Sequence, residues 1–440
     1  MASTLRKRGK KPSPQVSKSQ EPEPAAKNID RKTLPNSTQK AGKPKSPPTR
    51  EWEDEDYAKA VVAIGTCILA SLLLIPVFCH LLLSSSYFQS NIIFLNNIIN
   101  YPSSGTLQAL GSQLDGVTNL NVGGLQGYRF TPTSSDSPNF LPPKTTISRI
   151  LEIFFPAEFE IPPVSVSVSV SVSVSPPATP SNNKKCAIIL LHGNASNRGL
   201  YWRIKHARQL SSLTLTPCGN NIDVFSFDTR CFGDSFCPTN NYLLNEEDTK
   251  KDALTILNHV LEQDEYSSNI YLYGHSLGTS IAANLLMDST CGNNDHRLKD
   301  NCPIRGLILD SPFTSMAAAV KNHPLSFFLR HLVPKGYWEE KVWAGATFKT
   351  QSVLSTFLTT IRNRLRFPIL ILHGKYDKEI PLKTGGVQLF AALSDGVRRK
   401  IGWSGHPSVG LVLEVFEKGH EFVHRDERWG EVIESWDKLL

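Results

Sequence analysis

Between Asn269 and Met287 the chain reads NIYLYGHSLGTSIAANLLM. An apolar run, Ile270 to Tyr273, stops at Gly274-His275-Ser276-Leu277-Gly278, and a helix-patterned run begins near Thr279. Such a pattern puts a serine at the tip of a sharp strand-to-helix turn, with its hydroxyl projecting clear of the backbone. Positions two before and two after that serine crowd together, and both are Gly here. The pentapeptide alone arises by chance in long chains; the flanking strand and helix patterns give it weight. If Ser276 is a nucleophile, the rest of the chain must supply a base, an acid and an oxyanion site.

The 440 residues leave room for two or three domains. A composition of 40% apolar and 20% charged residues is ordinary for a chain that buries a core. The net charge of +7 is not a nucleic-acid signature, because residues 1–59 hold fourteen Lys and Arg against eight Asp and Glu, six of the seven excess charges. Met1–Lys59, rich in Lys, Ser, Pro and Gln, reads as a disordered tail with too little apolar surface to offset the entropy of folding. Its Arg6-Lys7-Arg8 cluster fits a membrane-surface or localisation patch as well as a solvated basic tail, and Ser46-Pro47 is a phosphorylation candidate.

Ala60–Leu83 contains no Asp, Glu, Lys or Arg. About 20 apolar residues cross a bilayer core as a helix, so a transmembrane helix is expected at 60–83. A secretory signal peptide would start near Met1. Lys45, Arg50 and Lys59 precede the run and no Lys or Arg follows until Arg129. The positive-inside rule then puts the tail in the cytosol and the C-terminal domain across the membrane, the acids at 51–56 counting little. The apolar Tyr87–Ile99, within a membrane-proximal segment 84–123, either lies in the interface or packs on the domain that follows.

Strand patterns begin at Gly124 and define a domain over 124–440. Leu125–Phe130 and Ile150–Phe155 read as antiparallel edge strands. Val164–Ser175 is a pure Val-Ser alternation bracketed by prolines, either a two-faced strand or a low-complexity insertion. Strands then alternate with helices: Cys186–Leu191, helix Leu200–Leu213, Ile222–Phe227, helix Asp248–Gln263, the Ser276 strand and helix, Arg305–Leu309, Pro368–Leu372, Val409–Phe416, and a closing helix Arg428–Leu440. This order predicts an α/β fold, a mostly parallel sheet flanked by helices.

In such sheets functional residues gather at the carboxyl ends of strands. After Pro368–Leu372 comes Asp377, the expected acid, and after Val409–Phe416 comes His420, the expected base. The order Ser276, Asp377, His420 is that of α/β-hydrolases. A serine hydroxyl needs a neighbouring base to take its proton, imidazole titrates in the right range, and a carboxylate fixes the imidazole tautomer. Asp310 is the rival acid and His424 the rival base; His192 and His373, each before a Gly at a strand end, read as loop braces. The oxyanion site is expected at the backbone N–H groups of Leu277 and Asn194. Asn194-Ala195-Ser196 is also a glycosylation sequon, expected to be unmodified because a glycan would block that site. Residues 316–366 carry Phe327, Phe328, Leu329, Leu332, Val333, Trp338, Trp343 and Phe357, and are expected to form an apolar lid. Six cysteines follow the apolar run; Cys291 with Cys302, then Cys231 with Cys237, are the expected disulfides, and Cys186 reads as a buried free thiol. No CxxC or His cluster suggests a metal, and no cofactor is implied.

HGNAS, FDTRCFGDS, YGHSLGTSIAANLL, LILDSPFTSM, NHPLSFF and ILHGKYDKEIP together resemble the membrane-anchored α/β-hydrolase-domain proteins that act as monoacylglycerol and lysophosphatidylserine lipases. The likeness runs from the apolar helix to the C-terminus and includes IIFLNN. It implies a triad at Ser276, Asp377 and His420, and an endoplasmic-reticulum membrane protein with a luminal domain. Ser196 departs from it, standing where related chains often have Gly, and so does the Val-Ser tract. The expected function is hydrolysis of acylglycerol or lysophospholipid esters through an acyl-serine. Its rivals are acyl-protein thioesterase or peptidase chemistry on the same triad, and a catalytically silent binding module.

Overall fold

A computed structural model describes residues 54–94, 103–133, 184–239, 242–266, 269–289, 302–323, 336–337, 344–360, 367–401, 410–421 and 423–438. Expectations for residues 1–53, the strand at Ile150–Phe155, the Val-Ser tract and Cys291 lie outside these, as do those for Phe327, Phe328, Leu329, Leu332, Val333, Trp338 and Trp343. The chain divides into two compact units, Met1–Thr66 and Cys67–Leu440.

The second unit is organised by a sheet whose central strands have no exposed face. In chain order the strands are β1 (Val117–Val122), β2 (Leu125–Phe130), β3 (Cys186–Leu191), β4 (Ile222–Phe227), β5 (Ile270–His275), β6 (Ile304–Asp310), β7 (Ile369–Gly374) and β8 (Leu411–Phe416). β3, β4 and β5 are buried at every position, as parallel strands covered on both faces require. On β5, Ile270 and Leu272 enter one apolar cluster and Tyr271 and Tyr273 the other. The described strands form one sheet in the order β1-β2-β4-β3-β5-β6-β7-β8. From β4 through β8 neighbours are parallel. β1 and β2 form an antiparallel hairpin at the edge, turning through Gly123 and Gly124 at φ of 59° and 88°. A two-residue hairpin of this hand needs positive φ at both positions. The expected mostly parallel, helix-flanked sheet is therefore observed, and it begins before residue 124.

The helices are α1 (Asp54–Ser84), α2 (Ser86–Phe94), α3 (Ser104–Gln113), α4 (Tyr201–Ser211), α5 (Glu246–Leu261), α6 (Leu277–Asp288), α7 (Met316–Asn322), α8 (Thr350–Thr360), α9 (Gly386–Ile401) and α10 (Trp429–Asp437). α5, α6, α8 and α9 bury Ile256, Ile281, Phe357 and Leu389 against one sheet face, while α4 and α10 bury Leu210 and Trp436 against the other. α5 starts where Asn245 Oδ1 accepts the Asp248 amide at 2.9 Å, with Glu246, Glu247 and Asp248 in its first turn. Cap and acids both suit the partial positive charge of a helix N-terminus. In the described part of the expected lid, Phe348, Leu354 and Phe357 are fully buried in the main core.

Cys186 is not a free thiol: it is bonded to Cys218, with Cα atoms 5.8 Å apart. Cys218 lies in the turn before β4, and the β3–β4 register pairs Cys186 with Ile222, which brings the two together. Cys231 is bonded to Cys237 as expected. Cys302 is also in a disulfide.

Among the described residues no helix is long and apolar enough to cross a membrane, so the structure does not support the transmembrane helix expected at 60–83. α1 is helical throughout that stretch, but many of its apolar side chains, including Leu72, Leu73, Ile75 and Phe78, lie outside the described residues. Of the two readings for the segment after it, packing is observed over its described part, up to Phe94. Phe94 is fully buried and edge-on to Phe348, and Ser90 Oγ donates to the Leu244 carbonyl at 3.0 Å.

Candidate active site

The site is built on the elbow between β5 and α6. Ser276 adopts φ 51° and ψ −117°, a conformation that only strong surroundings maintain in a non-glycine residue. Its amide donates to the Asp310 carbonyl on β6 at 2.9 Å, and its carbonyl accepts the Thr279 amide and hydroxyl at 2.9 and 2.6 Å. The flanking glycines are required. A Cβ on Gly274 would stand 2.4 Å from the Gly278 carbonyl oxygen, and one on Gly278 would stand 2.0 Å from that of Leu191.

β7 and β8 bring the other two expected groups to the same edge. Ser276 Oγ lies 2.9 Å from His420 Nε2, and His420 Nδ1 lies 2.7 Å from Asp377 Oδ2. With Nδ1 protonated toward the carboxylate, Nε2 is left to accept from the serine hydroxyl. The other Asp377 oxygen accepts the amides of Glu379 and Ile380 at 3.0 and 2.7 Å. Burial alone would raise this carboxyl, but the facing His420 and His373 rings and the Ile380 amide hold it below the ordinary carboxylate range. Burial would likewise lower His420, and the carboxylates of Asp377 and Glu379 outweigh it, lifting the imidazole well above 6.5. His275 Nε2 and Ser311 Oγ donate to the His420 carbonyl at 3.1 and 3.3 Å, fixing the loop that carries the ring.

The rival residues are engaged elsewhere. Asp310 accepts the Tyr273 hydroxyl at 2.9 Å, and His424 stacks on His206 with centroids 4.5 Å apart. His373 Nε2 donates to the Ile380 carbonyl at 2.8 Å, and His192 lies 3.1 Å from Asp228 Oδ1. Both brace loops.

Leu277 follows Ser276 directly, and a Cβ on Gly193, the residue before Asn194, would stand 3.2 Å from the Ser276 Cβ; among the described residues neither the Asn194 nor the Leu277 backbone amide has a hydrogen-bond partner. The Asn194 loop follows β3 and carries Ala195 and Ser196 at φ of 60° and 59°. Ser196 thus occupies a left-handed position that glycine would take without strain. Hydrogen bonds from four residues hold this shape. Arg203 Nη2, buried on α4, donates to the carbonyls of Gly193, Asn194 and Ala195 at 3.2, 3.2 and 2.9 Å. The Ala195 amide donates to the Phe94 carbonyl at 3.1 Å, and Asn194 Nδ2 donates to that of Ile93 at 3.2 Å. Arg198 donates from its backbone and Nη1 to Asp228 at 2.7 and 2.5 Å, and from Nη1 to Asp234 at 2.6 Å, tying in the loop closed by Cys231 and Cys237. Three of the loop's carbonyls are drawn to one guanidinium, and the Asn194 amide is left without a hydrogen-bond partner among the described residues.

Arg203 and Glu379 are site residues that the sequence patterns do not single out. Arg203 sits within an ordinary helix, and only the folded loop gives it three carbonyls. Glu379 follows Asp377 by two residues, and its Oε2 lies 3.7 Å from His420 Nε2. A candidate metal cluster exists among the described residues: His275, His420 and Glu421 offer ligand atoms within 4.8 Å of one another. Both His420 nitrogens already face Ser276 and Asp377, which leaves two ligands where a tight transition-metal site uses three or four.

A parallel sheet with a serine elbow after β5, an acid after β7 and a histidine after β8 is the arrangement of the α/β-hydrolase fold. Residues 182–358 match the family model described as serine aminopeptidase, S33. Among curated proteins, "Lysophosphatidylserine lipase ABHD12" of Danio rerio is 32% identical over 199 residues, 45% of this chain and 45% of that protein. The human "Protein ABHD12B" is 29% identical over 199 residues, 45% of this chain and 47% of its own length. The matched region spans less than half the length of these relatives. An α/β hydrolase from Vibrio vulnificus superposes over 82% of this chain and 93% of its own, at 17% identity and a TM-score of 0.45.

Proposed function

We propose that this chain is a membrane-bound serine hydrolase that cleaves the acyl ester of monoacylglycerols or lysophospholipids through an acyl-serine intermediate. The observation that carries the reading is the continuous hydrogen-bonded line from Ser276 Oγ through His420 to Asp377, beside two free amides. His420 takes the Ser276 proton as the hydroxyl attacks the ester carbonyl, and Asp377 holds the imidazolium. The amides of Leu277 and Asn194 receive the developing oxyanion, each such donor contributing about 3 kcal/mol to the transition state. The imidazolium then protonates the departing alcohol, and the same imidazole activates water against the acyl-serine.

The name carried by the Danio rerio relative supports a lysophospholipid ester, with lysophosphatidylserine as the first substrate to try. The apolar run at 60–83 supports a membrane anchor, and the cations before it support a cytosolic N-terminus. Disulfides persist in oxidising compartments, which supports a luminal domain in the endoplasmic reticulum. A peptidase is the second reading, favoured by the description of the matched family model.

In detergent-solubilised full-length protein, Ser276→Ala should abolish labelling by a fluorophosphonate probe. It should also lower fatty-acid release from monoacylglycerol and lysophosphatidylserine by about 10³-fold or more. Undiminished release would overturn the assignment. Turnover of an aminoacyl amide exceeding that of both lipids would favour the peptidase.

A further inference from the structure

We infer that Glu379 lines the leaving-group side of the site and accepts a hydrogen bond from a free hydroxyl beside the scissile ester, so that esters of polyols are preferred to simple alkyl esters. The inference rests on the serine-hydrolase reading above and deepens it by naming the feature of the substrate that is recognised.

The argument starts from where the alcohol must be. A leaving oxygen takes its proton from His420 Nε2, so at that moment it lies about 3 Å from that nitrogen. Glu379 Oε2 is 3.7 Å from the same nitrogen, too far for a good hydrogen bond of its own. Its side chain is 27% exposed and therefore faces accessible space rather than the core. An alcohol oxygen placed by Nε2 thus sits beside this carboxylate, and a hydroxyl on the adjacent carbon falls within its hydrogen-bond reach.

The carboxylate is also held and under-solvated. The Glu379 backbone amide donates to Asp377 Oδ1 at 3.0 Å, which ties the residue to the acid of the triad. Among the described residues, no donor hydrogen-bonds the Glu379 carboxylate and His420 is its only cationic neighbour within 4.0 Å. Burial pushes its ionisation upward against the pull of His420, with Glu421 and Asp377 adding like charge. A part-buried carboxylate short of donors gains most from a neutral hydroxyl, which adds a hydrogen bond without having to shed the strong hydration of a cation. In a monoacylglycerol or a lysophospholipid the carbon next to the ester carries such a hydroxyl. In a diacyl lipid that position is esterified and has no donor.

The test compares two esters of one fatty acid, the primary monoester of propane-1,2-diol and the propyl ester, which differ by a single hydroxyl. Full-length wild-type protein should show a kcat/KM ratio of about tenfold or more in favour of the diol ester, since a site built to bond a hydroxyl discriminates against its absence. Glu379→Leu should bring the ratio to within about two- to threefold of unity. Glu379→Gln, whose amide oxygen still accepts, should fall between. Circular dichroism establishes that each variant is folded. A wild-type ratio near one, or a ratio that survives in Glu379→Leu, would overturn the inference while leaving the hydrolase reading intact. Hydrolysis of neither ester by wild type would sink the hydrolase reading and this inference with it.

Discussion

Ser276 stays at φ 51° because its neighbours leave it no alternative, at a local cost of about 1–3 kcal/mol for a non-glycine residue. That strain aims the hydroxyl at His420, and the working state of the site then turns on the charge of one imidazole. The groups facing His420 are Asp377 and Glu379 from the loop after β7, His373 near the end of β7, His275 at the end of β5, Glu421 next to His420 in the chain, and His323 just after α7. Burial disfavours the imidazolium, but Asp377 and Glu379 outweigh it, and the ring binds its proton more tightly than a free histidine. Only neutral imidazole can take the Ser276 proton, so kcat/KM should rise with pH through an ionisation lying above 6.5, with activity lost on the acid side. Removing a nearby carboxylate weakens proton binding, so Glu379→Gln should move this limb to lower pH. A pH–rate profile of both proteins checks the order of the two limbs, and an unchanged midpoint would mean that Glu379 is neutral or turned away in solution.

At the scale of elements, the catalytic edge is buttressed by α4, α10 and the turn Val423–Arg425 that follows His420. His206 of α4 stacks on His424 of that turn at an interplanar angle of 11°, with Tyr273 of β5 and Trp429 of α10 at centroid distances of 4.8 and 5.5 Å. Both imidazoles are buried and held neutral. His206 is lowered to about 3, chiefly by burial, and His424 well below its ordinary value by burial and by His206. A group whose folded value is depressed adds stability above its unfolded value of about 6.5 and loses it as pH falls below that. The unfolding free energy should therefore drop on acidification below about 6.5, by up to about 1.4 kcal/mol per pH unit for each of the two rings. His206→Phe keeps a ring in the stack and removes one titrating group, so urea unfolding between pH 7.5 and 5 should show a shallower slope. An unaltered slope would place the acid sensitivity elsewhere. These packed elements were the legible part of the chain. β3, β4 and β5 are buried on both faces and so read as unbroken apolar runs, and the residues after β5, β7 and β8 follow from sheet topology. β1 was not legible, because an edge strand such as VTNLNV alternates with polar residues and its pairing depends on the Gly123-Gly124 turn. Cys186 looked like a core thiol because local sequence cannot report that the β3–β4 register delivers Cys218 beside it. Arg203 and Glu379 carried no signal for the same reason, since their partners are created by the fold.

At the scale of the whole molecule, the luminal localisation proposed above makes demands on α1 and on the cysteines. Along α1, Ile68, Leu69, Leu74, Val77 and Leu81 are 56–66% exposed and point to different sides of the helix. The membrane anchor proposed above would give these exposed apolar side chains an apolar partner. The cysteines add an independent constraint. Cys186–Cys218 ties the start of β3 to the turn before β4, and Cys231–Cys237 closes the short loop whose Asp234 accepts from Arg198 Nη1 at 2.6 Å. Both would be reduced in the cytosol. Both disulfides suit the luminal localisation proposed above. In sealed microsomes the protein should resist alkaline carbonate extraction. Added protease should trim only the residues before the apolar run, leaving a fragment that still reacts with a fluorophosphonate probe, and detergent should expose that fragment to digestion. Thiol-specific alkylation of the protected fragment before and after reduction should differ by at least the four cysteines of these two disulfides. Digestion of the hydrolase unit in intact vesicles, together with alkylation that reduction does not change, would put it in the cytosol and remove the support for a luminal enzyme.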